Sequence, residues 1–341
     1  MSAQGAKKDA AAGTSALQRR LESIWYEKAS GQQWLYPLEA LYSALSRTDR
    51  WIKRKLSTKH SVPVIVVGNI SIGGTGKTPL VVYLCELLKS TGYSPGIITR
   101  GYGGKNTHWP VSVDAKSDAR EYGDEPVLMA QRTEVPVVAG PNRNEDIALL
   151  LQNHKIDVVI SDDGLQHYQL QRDIEIVVID QLRGLGNQRC LPAGPLREPA
   201  SRLDTCDFVV INEAAPQAKY SMQLEASFIL RLNGGSQQPL NQWKGKTVHA
   251  VTGIGNPSRF FLMLARAGLT IIEHRFPDHH PFNAQDIQFD DSYPVVMTEK
   301  DAVKCRPFAS EKHWYIPVTA LLSAYFVQTL LLKLANVVTK D

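Results

Sequence analysis

Six consecutive residues, Gly73-Gly74-Thr75-Gly76-Lys77-Thr78, are the part of this sequence whose types and spacing imply chemistry most directly. Glycines let successive backbone N–H groups turn inward on phosphate oxygens, a lysine at that spacing reaches the outer phosphates, and the next hydroxyl can hold Mg²⁺. The usual G-x-x-x-x-G-K-[ST] pattern runs here from Ser71 and Ile72 to Thr78, with serine in place of its first glycine. The chemistry implied is nucleotide binding followed by phosphoryl transfer or hydrolysis.

Other stretches could serve the same chemistry. Ser161-Asp162-Asp163-Gly164 follows the apolar run Ile156-Asp157-Val158-Val159-Ile160. A buried parallel strand would deliver these carboxylates to its carboxyl end, where open α/β sheets bind ligands, and Mg²⁺ prefers such hard oxygens. The alternative is an aspartate turn with an N-cap. Gln166 and His167 lie just beyond and could face the same cleft. In Gly123-Asp124-Glu125-Pro126, Asp124 reads equally as a helix N-cap, with Pro126 in the first turn, or as a catalytic base. Arg100-Gly101-Tyr102-Gly103-Gly104 has the make-up of a ligand loop, and Leu191-Pro192-Ala193-Gly194-Pro195-Leu196-Arg197-Glu198-Pro199 is a proline-stiffened loop presenting an arginine and a glutamate.

Phe276-Pro277-Asp278-His279-His280-Pro281-Phe282 holds adjacent histidines, which in an extended loop tend to point apart. A histidine oriented by Asp278 is a better reading there than a metal pair. Thr298-Glu299-Lys300-Asp301 puts lysine third, where guanine readers want it second, which argues for adenine.

These residues need elements to position them. Val64-Ile65-Val66-Val67-Gly68, ahead of the glycine loop, is a β-branched run typical of a strand buried on both faces. Behind the loop, Leu80, Val81, Leu84, Leu87 and Leu88 fall at helical spacing, with Gly92 where a helix would stop. That order sets the phosphates at a helix N-terminus.

Nearer the start, Trp34, Leu38, Leu41, Leu45, Ile52 and Leu56 form a second helical stripe, with Arg47, Arg50, Lys53, Arg54, Lys55, Lys59 and Trp51 around its end. As a helix, its least polar part, Trp34 to Leu45, would be roughly 18 Å long against about 30 Å for a bilayer core, too short to span. Either it packs on the protein's own core, or it lies in a membrane interface with its cations against anionic headgroups. Tryptophan beside a basic cluster favours the second.

Length allows one or two domains. A net charge of +4, concentrated toward the N-terminal end, argues against a nucleic-acid partner. Cys85, Cys190, Cys206 and Cys305 stand far apart with no Cys-x-x-Cys pair, which argues against a zinc site or a disulfide framework and for a reducing compartment. Met1 to Gly13 reads as a flexible tail rather than a secretory signal.

Together the stretches resemble the tetraacyldisaccharide 4′-kinase family of lipid A biosynthesis. The residues that carry this are Val67-Gly68-Asn69 with the glycine loop and Pro79, Arg100 to Gly103, Gly123 to Pro126, Asn142-Arg143, Asp162-Asp163-Gly164-Leu165-Gln166-His167, Leu191 to Gly194 with Leu196 to Glu198, Asp278-His279, and Thr298 to Asp301. They run in family order from about residue 34 to about residue 304, and that family tolerates serine at the position of Ser71.

The resemblance implies ATP and Mg²⁺ as cofactors, bound by a doubly wound, mostly parallel P-loop NTPase-like α/β sheet. A second, smaller α/β lobe across a cleft and an N-terminal amphipathic, membrane-associating helix complete the expected fold. The expected divisions are a tail at 1–20, the helix at 21–60, the nucleotide lobe at 61–245 and the C-terminal lobe at 246–341.

It further implies that Asp124, assisted by His279, deprotonates the 4′-hydroxyl of tetraacyldisaccharide 1-phosphate, a glycolipid presented by the membrane. Asp162, Asp163 and Glu198 would join Thr78 in serving Mg²⁺, and Arg143, His167 and Arg197 would contact phosphates or position substrate. The expected location is peripheral, on the cytoplasmic face of the bacterial inner membrane. A P-loop GTPase or metal-insertion chaperone is the competing class, but its lysine-second guanine motif and His/Cys cluster are missing. A non-catalytic, nucleotide-gated scaffold would not need Lys77, Thr78 and the carboxylates intact.

Overall fold

A computed structural model describes residues 16–27, 33–214 and 218–339 of the chain. The backbone divides into two units, one of Arg20–Leu224 with Ala320–Asp341 and one built on Glu225–Thr319.

α1 (Ala16–Tyr26), which belongs to the first unit from Arg20 on, is followed by α2 (Tyr36–Lys55). Of the expected tail, residues 1–15 lie outside the described residues and 16–20 already belong to α1. The unit continues through β1 (Val64–Gly68), α3 (Lys77–Ser90), β2 (Pro95–Thr99), β3 (Val111–Val113), α4 (Ala119–Tyr122), α5 (Asp124–Thr133), β4 (Val137–Ala139), α6 (Arg143–Asn153), β5 (Val158–Asp162), β6 (Ile174–Asp180), β7 (Phe208–Asn212) and β8 (Ser221–Glu225). β1 lies between β5 and β6 and is parallel to both, with Val67 level with Asp162. All five residues of β1 and of β5 are buried, as β-branched runs covered on both faces must be. β2, β4, β7 and β8 extend the parallel sheet on either side, and β3 adds an antiparallel edge. The doubly wound, mostly parallel sheet is therefore present.

α3 begins at Lys77 and buries Leu80, Val81, Leu84 and Leu88. It stops as its sequence requires: Gly92, at φ +91°, sends its N–H to Lys89 O while the Tyr93 N–H reaches Leu88 O. Those two bonds satisfy carbonyls that the helix end would leave open.

α2 behaves differently, since none of its residues is fully buried. Trp34, Leu38, Leu41, Leu45, Ile52 and Leu56 are between 46% and 64% exposed, so the stripe does not pack on the protein's own core. Among the described residues, no helix is long and apolar enough to cross a membrane.

The second unit is also α/β. Its strands are β9 (Phe228–Arg231), β10 (Gln237–Pro239), β11 (Thr247–Thr252), β12 (Thr270–Arg275), β13 (Val295–Thr298) and β14 (His313–Ile316), with α7 (Pro257–Arg266) and α8 (Glu299–Cys305) among them. β12, β11, β13 and β14 are parallel neighbours, and β9 and β10 close one side antiparallel. Phe260, Phe261 and Leu264 of α7 pack with Trp243 and Trp314 on one side of the sheet. The polar stretch Asn233 to Lys246, where the sequence suggests a lobe boundary, lies inside this unit as the turn between β9 and β10 and the lead-in to β11.

The chain then returns to the first sheet as β15 (Thr319–Leu322) beside β8, followed by α9 (Ala324–Val338). Ser323 caps α9 through its hydroxyl, and Phe326, Leu330 and Leu334 are fully buried. The Phe326 ring meets Phe208 of β7 edge-on at 5.3 Å. Phe326→Ala is expected to cost about 3–5 kcal/mol, as core phenylalanine truncations do. Urea unfolding followed by a first-unit probe checks this, and a loss below about 1 kcal/mol would mean that α9 is not part of that core.

Candidate active site

The glycine loop is braced from both sides. Asn69 donates from Nδ2 to Gly73 O at 3.2 Å, and the Ile72 N–H donates to Pro195 O at 2.9 Å. Ser71 forms an antiparallel bridge with Leu196, and Arg197 returns its N–H to Ile70 O at 2.7 Å. The proline-stiffened loop therefore lies alongside the start of the phosphate loop. Gly76 has φ +93°, and a Cβ there would come within 2.5 Å of Asn212 Nδ2, so only glycine fits both the turn and its neighbour. Asn212 sits at the end of β7 and donates to Thr75 O at 2.9 Å. Gly74 has open space around it, and Lys77 and Thr78 are the first two residues of α3. Ser71 through Thr78 thus form a cradle at a helix N-terminus, the arrangement that receives phosphate.

Beside it, β5 ends at Asp162, and Asp163 begins the turn that follows. Asp162 is 1% exposed; Oδ2 accepts from the Thr99 hydroxyl at 3.2 Å, while Oδ1 has no hydrogen-bond partner among the described residues. Burial, then the charges of Glu125 and Asp163, raise its pKa above the usual carboxylate range. A buried carboxylate oxygen without a donor is costly unless something positive binds it. The donor set therefore fits a divalent cation.

Asp163 sits in the left-handed region at φ +46°, a strained setting for a non-glycine residue and a frequent mark of a functional turn. Burial works against its ionisation, but Lys77 and Arg197 outweigh it and hold its pKa down. Lys77 Nζ lies 3.4 Å from Asp163 Oδ1, and Arg197 lies 3.5 Å from Oδ2.

Arg143 and Glu198 are both deeply buried. Arg143 opens α6 at 2% exposure and donates to Gly140 O, to Asp146 Oδ2 and, at 3.2 Å, to the main-chain oxygen of Asp162. Its guanidinium secures the end of β5. Glu198, at 1% exposure, accepts from Gln166 through Oε1 and from Tyr168 through Oε2, with Arg50 and Arg202 each 3.5 Å from Oε2. Protein donors meet both oxygens and fix the carboxylate in place.

Asp124 is the first residue of α5 and 3% exposed. Gly123 holds the N-cap position, and Asp124 Oδ1 accepts the Glu125 N–H at 2.9 Å. The Arg100–Gly104 loop packs against this junction: a Cβ on Gly123 would stand 2.6 Å from Tyr102 O. His167 is half-buried, and burial followed by the charges of Arg143 and Arg100 lowers its pKa to about 4.

In the second unit, His279 is also left-handed, at φ +59°. Its N–H reaches Gly253 O at 3.1 Å and Asp278 Oδ1 at 3.0 Å, and its Nε2 lies 3.4 Å from Lys300 Nζ. Asp278 therefore holds the main chain, while its carboxylate stays 3.8 Å from the His279 Nε2 atom. His280 instead pairs with Asp286 at 3.1 Å and packs between Phe276 and Phe282. Thr298-Glu299-Lys300-Asp301 is the junction of β13 and α8. Thr298 caps the helix, and the buried Asp301 carboxylate accepts from the Thr252 hydroxyl and the Gly253 N–H.

A profile of the tetraacyldisaccharide-1-P 4′-kinase family matches residues 31–335. The chain belongs to this family. It is 47% identical to tetraacyldisaccharide 4′-kinase of Alcanivorax borkumensis over 90% of this chain and 94% of that protein. It is 46% identical to the enzyme of that name from Legionella pneumophila, over 89% of this chain and 94% of the other. A crystal structure of LpxK from Aquifex aeolicus in complex with ATP superposes with a TM-score of 0.73 at 29% identity, covering 89% of this chain and 99% of that one.

Two residues that act on the phosphate loop and on Asp162 carry no local signal in the sequence. Glu125, which influences Asp162, reads as an ordinary first-turn acid. Asn212 ends an unremarked strand 137 residues from the Thr75 carbonyl it holds.

His167 generates a prediction. Its folded pKa lies below the unfolded value of 6.5, so the unfolded chain binds more protons between about pH 4 and 6.5. Its neutral form is fully compatible with folding above pH 6.5, and stability falls as pH drops through that window. His167→Gln should flatten this slope in denaturant titrations at pH 4.5 and 7. An unchanged slope would mean that His167 titrates alike in both states.

Proposed function

We propose that this chain transfers the γ-phosphate of ATP to the 4′-hydroxyl of tetraacyldisaccharide 1-phosphate. The single observation that carries the chemistry is the cradle Ser71–Thr78, closed against Lys77–Asp163–Arg197, in a member of this kinase family. Phosphoryl transfer asks little covalent help of a protein; it needs in-line positioning and neutralised charge. The loop amides and Lys77 hold the outer phosphates. Thr78, Asp162 and Asp163 would hold Mg²⁺, which would supply positive charge to offset that of the phosphates. Asp124 accepts the proton of the acceptor hydroxyl, whose oxygen forms the new bond to phosphorus as the bond to ADP breaks. His279 matches the family residue that assists.

The enzyme is further proposed to work as a peripheral protein on the cytoplasmic face of the bacterial inner membrane. In support, the exposed stripe of α2 is flanked by Arg47, Lys53, Arg54, Lys55 and Lys59, and such cations attract anionic lipid at about 1 kcal/mol each. The acceptor's acyl chains then stay in the bilayer while its sugar enters the site.

With γ-labelled ATP, Mg²⁺ and tetraacyldisaccharide 1-phosphate in detergent, label is expected in the lipid. Asp124→Ala should lower turnover by about 10²–10⁴ while ATP affinity stays near normal, and Lys77→Ala should abolish transfer. ATP hydrolysis without labelled lipid would sink the substrate assignment and favour a chaperone-like NTPase. The triple variant Leu38→Ser, Leu41→Ser, Leu45→Ser should lose sedimentation with phosphatidylglycerol vesicles yet keep its ATP affinity in vesicle-free buffer. Sedimentation equal to the unsubstituted protein would refute seating by α2.

A further inference from the structure

The polar side of α2 is fastened at three places to one loop. The Glu39 carboxylate takes the Arg189 guanidinium and the Cys190 N–H, each at 2.9 Å. The Tyr42 hydroxyl donates to Arg197 O at 2.9 Å, and Arg50 lies 3.5 Å from the buried Glu198 carboxylate. The same loop pairs with the phosphate loop through Ile72 N–H to Pro195 O and Arg197 N–H to Ile70 O.

A side-chain line runs in parallel. Glu198 Oε1 accepts from Gln166 Nε2 at 2.9 Å, and Gln166 Oε1 accepts from Arg197 at 3.3 Å. Arg197 and Lys77 then share Asp163, at 3.5 and 3.4 Å. Gln166 Nε2 also lies 3.1 Å from Asn69 O, at the entrance to the phosphate loop. Every step from Arg50 on α2 to the nucleotide-site lysine is thus a polar contact of 3.5 Å or less, and its second member, Glu198, is 1% exposed. Low-dielectric networks of this kind have few alternative arrangements, because a displaced member leaves a buried partner unsatisfied.

We infer that Arg50, Glu198 and Gln166 are positioning residues that couple the seating of α2 on a lipid surface to the set of Lys77 and Arg197 in the nucleotide site. The inference rests on the seating proposed above. α2 has its polar side fixed and its apolar side exposed, so a lipid surface restrains the helix from the side the protein leaves bare. Restraint of the helix restrains the loop it is fastened to, and with it the phosphate cradle. Coupling is reciprocal: whatever factor lipid applies to nucleotide affinity, nucleotide applies to lipid affinity.

The test uses the full chain, Mg²⁺·AMP-PNP as nucleotide, and vesicles of phosphatidylglycerol and phosphatidylcholine. Calorimetry gives the nucleotide Kd with and without vesicles, and sedimentation reports vesicle binding. The unsubstituted protein is expected to bind AMP-PNP about 5-fold tighter or more on vesicles, the low end of ordinary allosteric coupling. Gln166→Leu and Arg50→Gln should still sediment, with that ratio reduced to about one, and Arg50→Lys should restore part of it. Lys55→Gln removes the same charge from α2 away from Glu198, so it should weaken sedimentation but keep the ratio.

A purely structural role for Gln166 would shift stability without altering the vesicle dependence of Kd. Should Gln166→Leu fail to fold, Arg50→Gln, whose side chain is 19% exposed, carries the test. A ratio of one in unsubstituted protein that does sediment overturns the coupling and leaves the seating intact. A ratio unchanged in both Gln166→Leu and Arg50→Gln overturns the route. No sedimentation at all removes the seating, and the inference with it.

Discussion

The burial of Asp162 is the constraint on which the rest of the nucleotide unit depends. A carboxylate this deep, with one oxygen lacking a donor among the described residues, destabilises the fold unless its surroundings are arranged for it. Thr99 takes the other oxygen, Arg143 fixes the backbone carbonyl, and Gly68 lets the following turn close: a Cβ there would stand 2.6 Å from that of Leu165. Asp163 is forced into a left-handed conformation as the chain turns away from the strand end. Lys77 and Arg197 then hold Asp163 ionised beside a neighbour that burial pushes toward protonation. Two adjacent carboxyls with opposite tendencies follow from one strand ending inside the protein rather than at its surface.

The same principle orders the region around Glu198. Its carboxylate is surrounded by Gln166, Tyr168, Arg50 and Arg202, drawn from segments far apart in sequence. Buried charge of this kind contributes little to net stability but is strongly selective about geometry, because losing any one donor strands the rest. α2 is thereby held by directional contacts on one side while its other side carries apolar surface that water disfavours. A helix divided in this way is oriented by the protein and held back from burying itself in the protein.

Legibility in the sequence followed the range of the interactions involved. β1, the glycine loop and α3 are contiguous, and their patterns are local, so strand, cradle and helix could be read directly. Asp162 and Asp163 were visible as paired acids at the end of an apolar run. Asp124 was undecidable from its neighbours, since an acid at the start of a helix can serve as a cap or as a base; the structure gives the cap to Gly123. The setting of Glu198 was not legible, because nothing nearby in the sequence shows that Arg50, 148 residues earlier, lies against it. The bond from Arg143 to the end of β5 was hidden for the same reason: that partner is 19 residues away. The polar stretch at 233–246 looks like a linker, but a hairpin turn is just as polar.

The connectivity has a consequence for how the protein is made. The second unit is an insertion: the chain leaves the first sheet after β8 and comes back to it as β15 and α9. Phe208 on β7 therefore waits for Phe326 until more than a hundred further residues have been synthesised. The inserted unit can complete its own core in that interval, but the first unit cannot, since chains emerge at about 5–20 residues per second. For several seconds the nascent chain shows an apolar sheet face to the cell, and that interval is where a folding helper or a protease would meet it.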